Sequence, residues 1–222
     1  MAELTPIHPR YLRDQAFLSL RAAIVSGALR PGSPLVIDSL AEAFGLSTMP
    51  VREAVKRLVA DGLAEELPRR AHRIAPLTKR TALDVLGVME VLMVGAYELG
   101  VPALTADDIR AMRAALDRTV RHAAAGDLLE ALAGIHALHE VVYAATGNAE
   151  LERLLATVTP RFDRVLYLWY TESIVGAGSS YRHDLVSALE RGEAAEAGEI
   201  MRRAWRRFRE IVAARPEKED QE

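Results

Sequence analysis

Between Phe44 and Leu63 the chain reads FGLSTMPVREAVKRLVADGL, and no other stretch restricts the possible folds as tightly. Its second half sets Val51, Val55, Leu58 and Val59 on one side of a helix and Arg52, Lys56 and Arg57 largely on another, the spacing of a helix with one packed and one solvated face. The first half is punctuation. Gly45 stands where a preceding helix over 39–44 needs a left-handed residue, Ser47 or Thr48 can cap the next helix, and Pro50 falls in its first turn, where a missing N–H costs nothing. The expected local fold is helix, tight glycine turn, capped helix.

The flanks extend this pattern. Upstream, Leu12, Phe17, Leu20 and Ile24 are near helical spacing over 11–25, and SGALRPG (26–32) supplies a stop. Downstream, LAEEL and HRIAP alternate partially around PRRA, which reads as a small hairpin. Three helices followed by a basic hairpin is the plan of a winged helix-turn-helix. Beyond residue 78 strand signals vanish. Helical segments fit 83–99, 105–124, 128–145, 150–171, 182–191 and 194–213, with GAGSS (176–180) the most flexible connector and RPEKEDQE (215–222) a polar tail. The expected fold is mainly α: a winged helix-turn-helix over 1–77, an all-helical antiparallel bundle over 78–214, then the tail.

Composition limits the partners. Half of the 222 residues are hydrophobic, ample for a buried core. The absence of cysteine excludes disulfides and thiolate metal sites. No signal-peptide core and no apolar run near the roughly 18 residues of a membrane span are evident, so a cytoplasmic protein without a membrane partner is expected. The net charge of −3 would ordinarily argue against nucleic acid, but it conceals an asymmetry. Residues 1–78 hold ten Lys and Arg against eight Asp and Glu, so the front carries about +2 and the rear about −5.

GALRPGSPL, LAEAFGLSTMPVREAVKRLVADGL and PRRAHRIAPL resemble the DNA-binding domain of the GntR superfamily of bacterial transcription regulators. The all-helical remainder, with TGN and ALERGE, resembles its FadR-like (FCD) effector domain. The resemblance implies a homodimer that binds a palindromic double-stranded DNA operator, with an effector in the helical domain changing that affinity. No enzymatic activity is expected.

On the front domain this places Ser47, Thr48, Met49, Arg52 and Lys56 at the major groove, and Arg69, Arg70, His72 and Arg73 on the wing. A guanidinium at Arg52 reaches a guanine edge or a phosphate, and hydroxyls at the helix N-terminus favour phosphate. The competing reading of Arg52, Lys56 and Arg57 is a solvated helix face. Three positions depart from the family: Thr48 replaces its usual arginine, Met49 its threonine, and Ala71 its wing-tip glycine. Met49 either meets a thymine methyl or packs against its own domain.

On the rear domain the resemblance implies a divalent metal held by an aspartate and three histidines. Aligned on TGN and on ALERGE with Met201, those positions fall at Ile135, His139, Arg182 and Ala204, and only His139 can coordinate. No metal cofactor is therefore expected. A further arginine common in these proteins falls at Met89. The implied pocket is apolar at Met89, Ile135, Ala204 and Trp205, with His139 and Arg182 as polar handles, and Arg182 would receive the carboxylate or phosphate of an anionic effector. Three alternatives stand beside it: a surface Arg182 with a core His139 satisfied by a neighbour, a helical metalloenzyme built on His136, His139, Glu140 and His183, and a regulator without effector control. Tyr143, Phe162, Tyr167, Trp169 and Tyr170 read as core or dimer packing, with one or two as a pocket wall.

Overall fold

The computed structural model describes residues 9–169 and 180–216, which divide into two compact units after Leu77. Tyr170, the connector up to residue 179, the tail from 217 and residues 1–8 lie outside the described residues.

In the N-terminal unit, α1 (Pro9–Val25), α2 (Ile37–Phe44) and α3 (Thr48–Ala60) share one apolar core with an antiparallel sheet of β1 (Pro34–Leu35), β3 (Ala71–Ile74) and β2 (Ala64–Leu67), in that spatial order. Phe17, Leu20 and Ile24 of α1 meet Val51, Val55 and Leu58 of α3, all buried, and each such side chain contributes about 1.5–3 kcal/mol. That packing fixes the rotation of α3 and turns Arg52 and Lys56 outward. Between α2 and α3, Leu46 N–H donates to the Ala41 carbonyl at 2.9 Å and Gly45 N–H to Glu42 at 3.0 Å. This is a Schellman ending, and it requires the left-handed φ of +63° that Gly45 adopts. The strand β1 pairs only Pro34 with Arg73 and Leu35 with His72, too short to leave a periodic signal in the sequence.

The second unit is a helical bundle of α4 (Lys79–Gly100), α5 (Ala106–Ala124), α6 (Leu128–Ala145), α7 (Ala149–Trp169), α8 (Ser180–Glu190) and α9 (Ala194–Ala214). Helix α5 packs on α6 and α8 on α9, while α4 lies against α6, α7 and α9. Helix α4 starts earlier than its apolar spacing predicts because of its cap. Thr78 Oγ1 accepts from Thr81 N–H at 3.1 Å and Thr81 Oγ1 accepts from Thr78 N–H at 3.0 Å, a reciprocal box with threonine in place of the usual glutamate. Pro160 sits inside α7, where its missing N–H removes one helical hydrogen bond.

Two helices, over 79–103 and 128–145, are long and apolar enough to cross a membrane by length and composition, although charged residues interrupt both, so neither is an uninterrupted apolar run. In α4 the apolar residues divide between an inward face, with Met89, Met93 and Tyr97 buried, and an outward stripe of Val88, Val91 and Leu99.

Candidate nucleic-acid interface and ligand cavity

The N-terminus of α3 is exposed and presents the predicted cluster. Ser47 occupies the cap position in extended conformation, but its hydroxyl makes no capping hydrogen bond, so the expected side-chain cap is not formed. The first N–H groups of α3 thus keep their capacity for an anion. Thr48 is exposed, and Met49 is 73% exposed, which excludes packing of Met49 against its own domain. Arg52 projects from the next turn into solvent. Lys56 is held by Glu53 at 2.8 Å. Arg57 lies 3.8 Å over the ring of Phe17 and 3.7 Å from Asp14, so it braces α3 on α1 rather than joining the reading cluster.

The wing tip departs from expectation in its register. Arg69 and Arg70 both take left-handed backbone, with φ of 64° and 61°, whereas Ala71 is extended at φ −75°. The position that would favour glycine therefore lies one and two residues before Ala71, and two arginines fill it. His72 and Arg73 sit on β3, and Arg73 Nε donates to Glu65 Oε2 at 2.8 Å across the hairpin. Arg69 and Arg70 thus stand at the tip, while the charge of Arg73 is already paired on the sheet.

In the helical unit, Met89 of α4, Ile135 and His139 of α6, Arg182 of α8 and Ala204 of α9 line one cavity of about 140 Å³. Five residues scattered over more than a hundred positions meet because α4 contacts α6, α7 and α9 while α8 packs on α9. Arg182 is only 2% exposed, which removes the surface reading of that residue. His139 is buried, and its Nδ1 lies 2.7 Å from Tyr97 Oη, so the local satisfaction weighed for it is present on one ring nitrogen. Burial, then the Arg182 cation, then His136 hold the His139 pKa well below its ordinary value, and the ring is neutral. Burial likewise pushes the phenols of Tyr97 and Tyr143 up.

Of α7's share of the cavity, sequence reasoning raised only Phe162, as one of several aromatics that could form a pocket wall, and missed the rest. Thr159, Phe162 and Asp163 line it, and Asp163 Oδ1 stands 2.9 Å from His136 Nε2. The available signal was Pro160, which marks an irregular helix beside these residues. Phe162, Trp205 and Phe208 form a ring cluster with centroids 5.4–6.1 Å apart, all on the cavity wall with Tyr143.

The residues do not fit the divalent ion implied by the resemblance. Ile135 and Ala204 offer no donor, Arg182 is a cation, and one nitrogen of His139 is engaged. Among the described residues no group of three or more His, Asp and Glu could hold a metal. Nor are His136, His139, Glu140 and His183 assembled as a set. The first two line the cavity, and the last two are exposed.

Known proteins share this architecture. Residues 12–74 match the family of bacterial regulatory proteins described as gntR, and residues 84–207 match the FCD domain. The HTH-type transcriptional regulator McbR of Escherichia coli (strain K12) is 31% identical over 109 residues, 49% of each chain. This chain therefore aligns with about half the length of that relative. The HTH-type transcriptional regulator YdhC of Bacillus subtilis (strain 168) is 28% identical over 162 residues, 71% of each chain. The solved structure of E. coli McbR/YncC superposes with a TM-score of 0.75 at 24% identity, covering 91% of this chain and 97% of that one, a likeness of fold. With both units matched and the FCD match alone spanning more than half of the residues, the chain belongs to the GntR family of bacterial regulatory proteins, in the branch that carries an FCD domain.

Proposed function

We propose that the protein is a cytoplasmic, homodimeric transcription regulator that binds operator DNA through the α3 N-terminus and the wing, and whose operator affinity is set by a small organic acid in the cavity of the helical unit. The observation that carries the effector reading is Arg182: a buried guanidinium on the wall of a largely apolar cavity whose neighbouring His139 is neutral. A fixed cation of this kind receives a carboxylate in fork geometry and substitutes for the charge of a metal. The cavity, about 140 Å³, is close to the about 150 Å³ that holds a benzene molecule, so the effector carries about one ring or a short chain.

Dimerisation is supported by the outward stripe of α4, where Val88, Val91 and Leu99 are exposed at helical spacing with Gly95 between them. Regulation then works by population shift: the acid and the operator each favour one arrangement of the two reading heads, and their coupling is reciprocal.

The test is a thermal-shift series on wild type, Arg182→Ala and Arg182→Lys with benzoate and short mono- and dicarboxylic acids, with and without divalent ions after chelator treatment. A ligand that binds only the folded state raises the melting temperature. Stabilisation by an acid without metal, lost in Arg182→Ala, supports the reading; a shift that needs metal and survives that substitution overturns it. Binding to a DNA site selected from a random library should weaken steeply with salt.

A further inference from the structure

The cavity has a second polar pole, opposite in charge to Arg182. Asp163 of α7 lines the same cavity with its side chain 15% exposed. Its Oδ1 is buried and accepts no hydrogen bond, although His136 Nε2 is 2.9 Å away. The separation is that of an ion pair, but the contact lacks hydrogen-bond geometry. A buried acceptor left without a donor is unfavourable, and a ligand donor placed there removes that cost.

We propose that the cavity selects acids carrying a second, hydrogen-donating group, a hydroxyl or an amine, with the carboxylate on Arg182 and the second group on Asp163. This rests on the reading of the cavity as an acid-binding effector site. The remaining walls, from Met89, Ile135, Ala204 and Phe208, suit an apolar skeleton between the two poles, and the volume limits that skeleton to about one ring. His139, neutral and braced by Tyr97, adds no charge to either pole. The pair of poles also excludes. An unsubstituted acid leaves Asp163 facing carbon, and a site built to hydrogen-bond a substituent rejects the analogue that lacks it. A dicarboxylate sets its second charge against the Asp163 carboxylate, a repulsive element that discriminates as strongly as an attractive one.

The experiment is calorimetric titration of the full-length protein with benzoate, the three hydroxybenzoates, the three aminobenzoates and benzene-1,4-dicarboxylate, in wild type, Asp163→Leu and Asp163→Asn. At least one substituted isomer should bind ten or more times tighter than benzoate to wild type. That preference should fall to within about twofold in Asp163→Leu while benzoate still binds. Asp163→Asn keeps an acceptor without its charge, so it should retain part of the preference and gain affinity for the dicarboxylate, which preserves the test if the leucine variant does not fold. Benzoate binding wild type as tightly as every substituted isomer, or a preference that survives Asp163→Leu, overturns this inference and leaves the acid site standing. Failure of wild type to bind any of these acids overturns the acid site and this inference together.

Discussion

Tyr97 Oη lies 2.7 Å from His139 Nδ1 with both side chains buried, and this bond ties the inward face of α4 to α6 at the edge of the cavity. Both neutral tautomers of the histidine keep it, with the phenol donating to Nδ1 or accepting its proton. A protonated ring would place a second cation near Arg182 at a buried position that solvates charge poorly. Burial and the Arg182 cation therefore hold His139 neutral.

That neutrality gives stability a pH dependence. The folded His139 pKa lies well below 6.5. As pH falls through 6.5 the unfolded chain takes up a proton that the folded chain refuses, and stability falls by up to about 1.4 kcal/mol per pH unit until the folded value is reached. Above that range the residue contributes no slope. Urea unfolding from pH 7.5 to 5.0 should show wild type losing stability faster than His139→Gln, whose side chain does not titrate. Equal slopes would mean that the ring takes up its proton in the folded state as readily as in the unfolded one.

Packing of α5 on α6 depends on a missing side chain. A Cβ built on Gly134 would collide with Thr119 Oγ1 and crowd the Thr119 backbone, and Thr119 is itself buried and donates to the Ala115 carbonyl at 3.0 Å. Backbone cannot yield as a flexible side-chain end would. Gly134→Ala should therefore destabilise the helical unit by about 1–3 kcal/mol, despite alanine's better helix propensity of about 1 kcal/mol. Denaturant midpoints decide it, and a rise in stability would show that the two helices can separate at no cost.

How much of this was legible in the sequence depended on the range of the signal. The turn between α2 and α3 could be read from Gly45 alone because one residue's left-handed φ sets it. The wing could be read as a hairpin, but not its tip: the left-handed demand falls on Arg69 and Arg70, residue types that give no warning of it. Met89, Ile135, His139, Arg182 and Ala204 were named through family register, and the fold brings them to one cavity. Asp163 was not, because its importance arises from α7 packing beside His136 of α6. No local period encodes that packing. The missing hydroxyl cap at Ser47 is of the same kind, a rotamer choice that sequence does not fix.

The exposed stripe on α4 is the feature most open to a direct test of association. Val91 is 72% exposed, so Val91→Glu creates no clash within one chain and should leave the monomer fold intact, within about 0.5 kcal/mol for a surface site. In a dimer that closes over this stripe, the same change buries an unpaired carboxylate, which is strongly unfavourable. Sedimentation should show wild type as a dimer and the variant shifted to monomer at micromolar concentration. A variant that stays dimeric with unchanged affinity would place the interface elsewhere.

The two arginines at the wing tip set stability against DNA binding. Arg70 holds a left-handed φ of 61°, which costs a residue with a Cβ about 1–2 kcal/mol, and glycine removes that cost while adding about 0.5–1 kcal/mol of unfolded-state entropy. The strain is the larger quantity, so Arg70→Gly should raise the stability of the N-terminal unit slightly, by some tenths to about 1 kcal/mol. Arg70→Ala keeps the strained backbone and should gain nothing. Ala71→Gly, at an extended φ of −75°, has no strain to relieve and should lose a little. Both Arg70 variants remove a cation from the tip. If Arg70 meets a phosphate, each should weaken operator binding about equally and reduce the slope of log affinity against log salt by about one. A stabilised Arg70→Gly with undiminished DNA affinity would assign the strain to the hairpin alone and move the wing contact to Arg69.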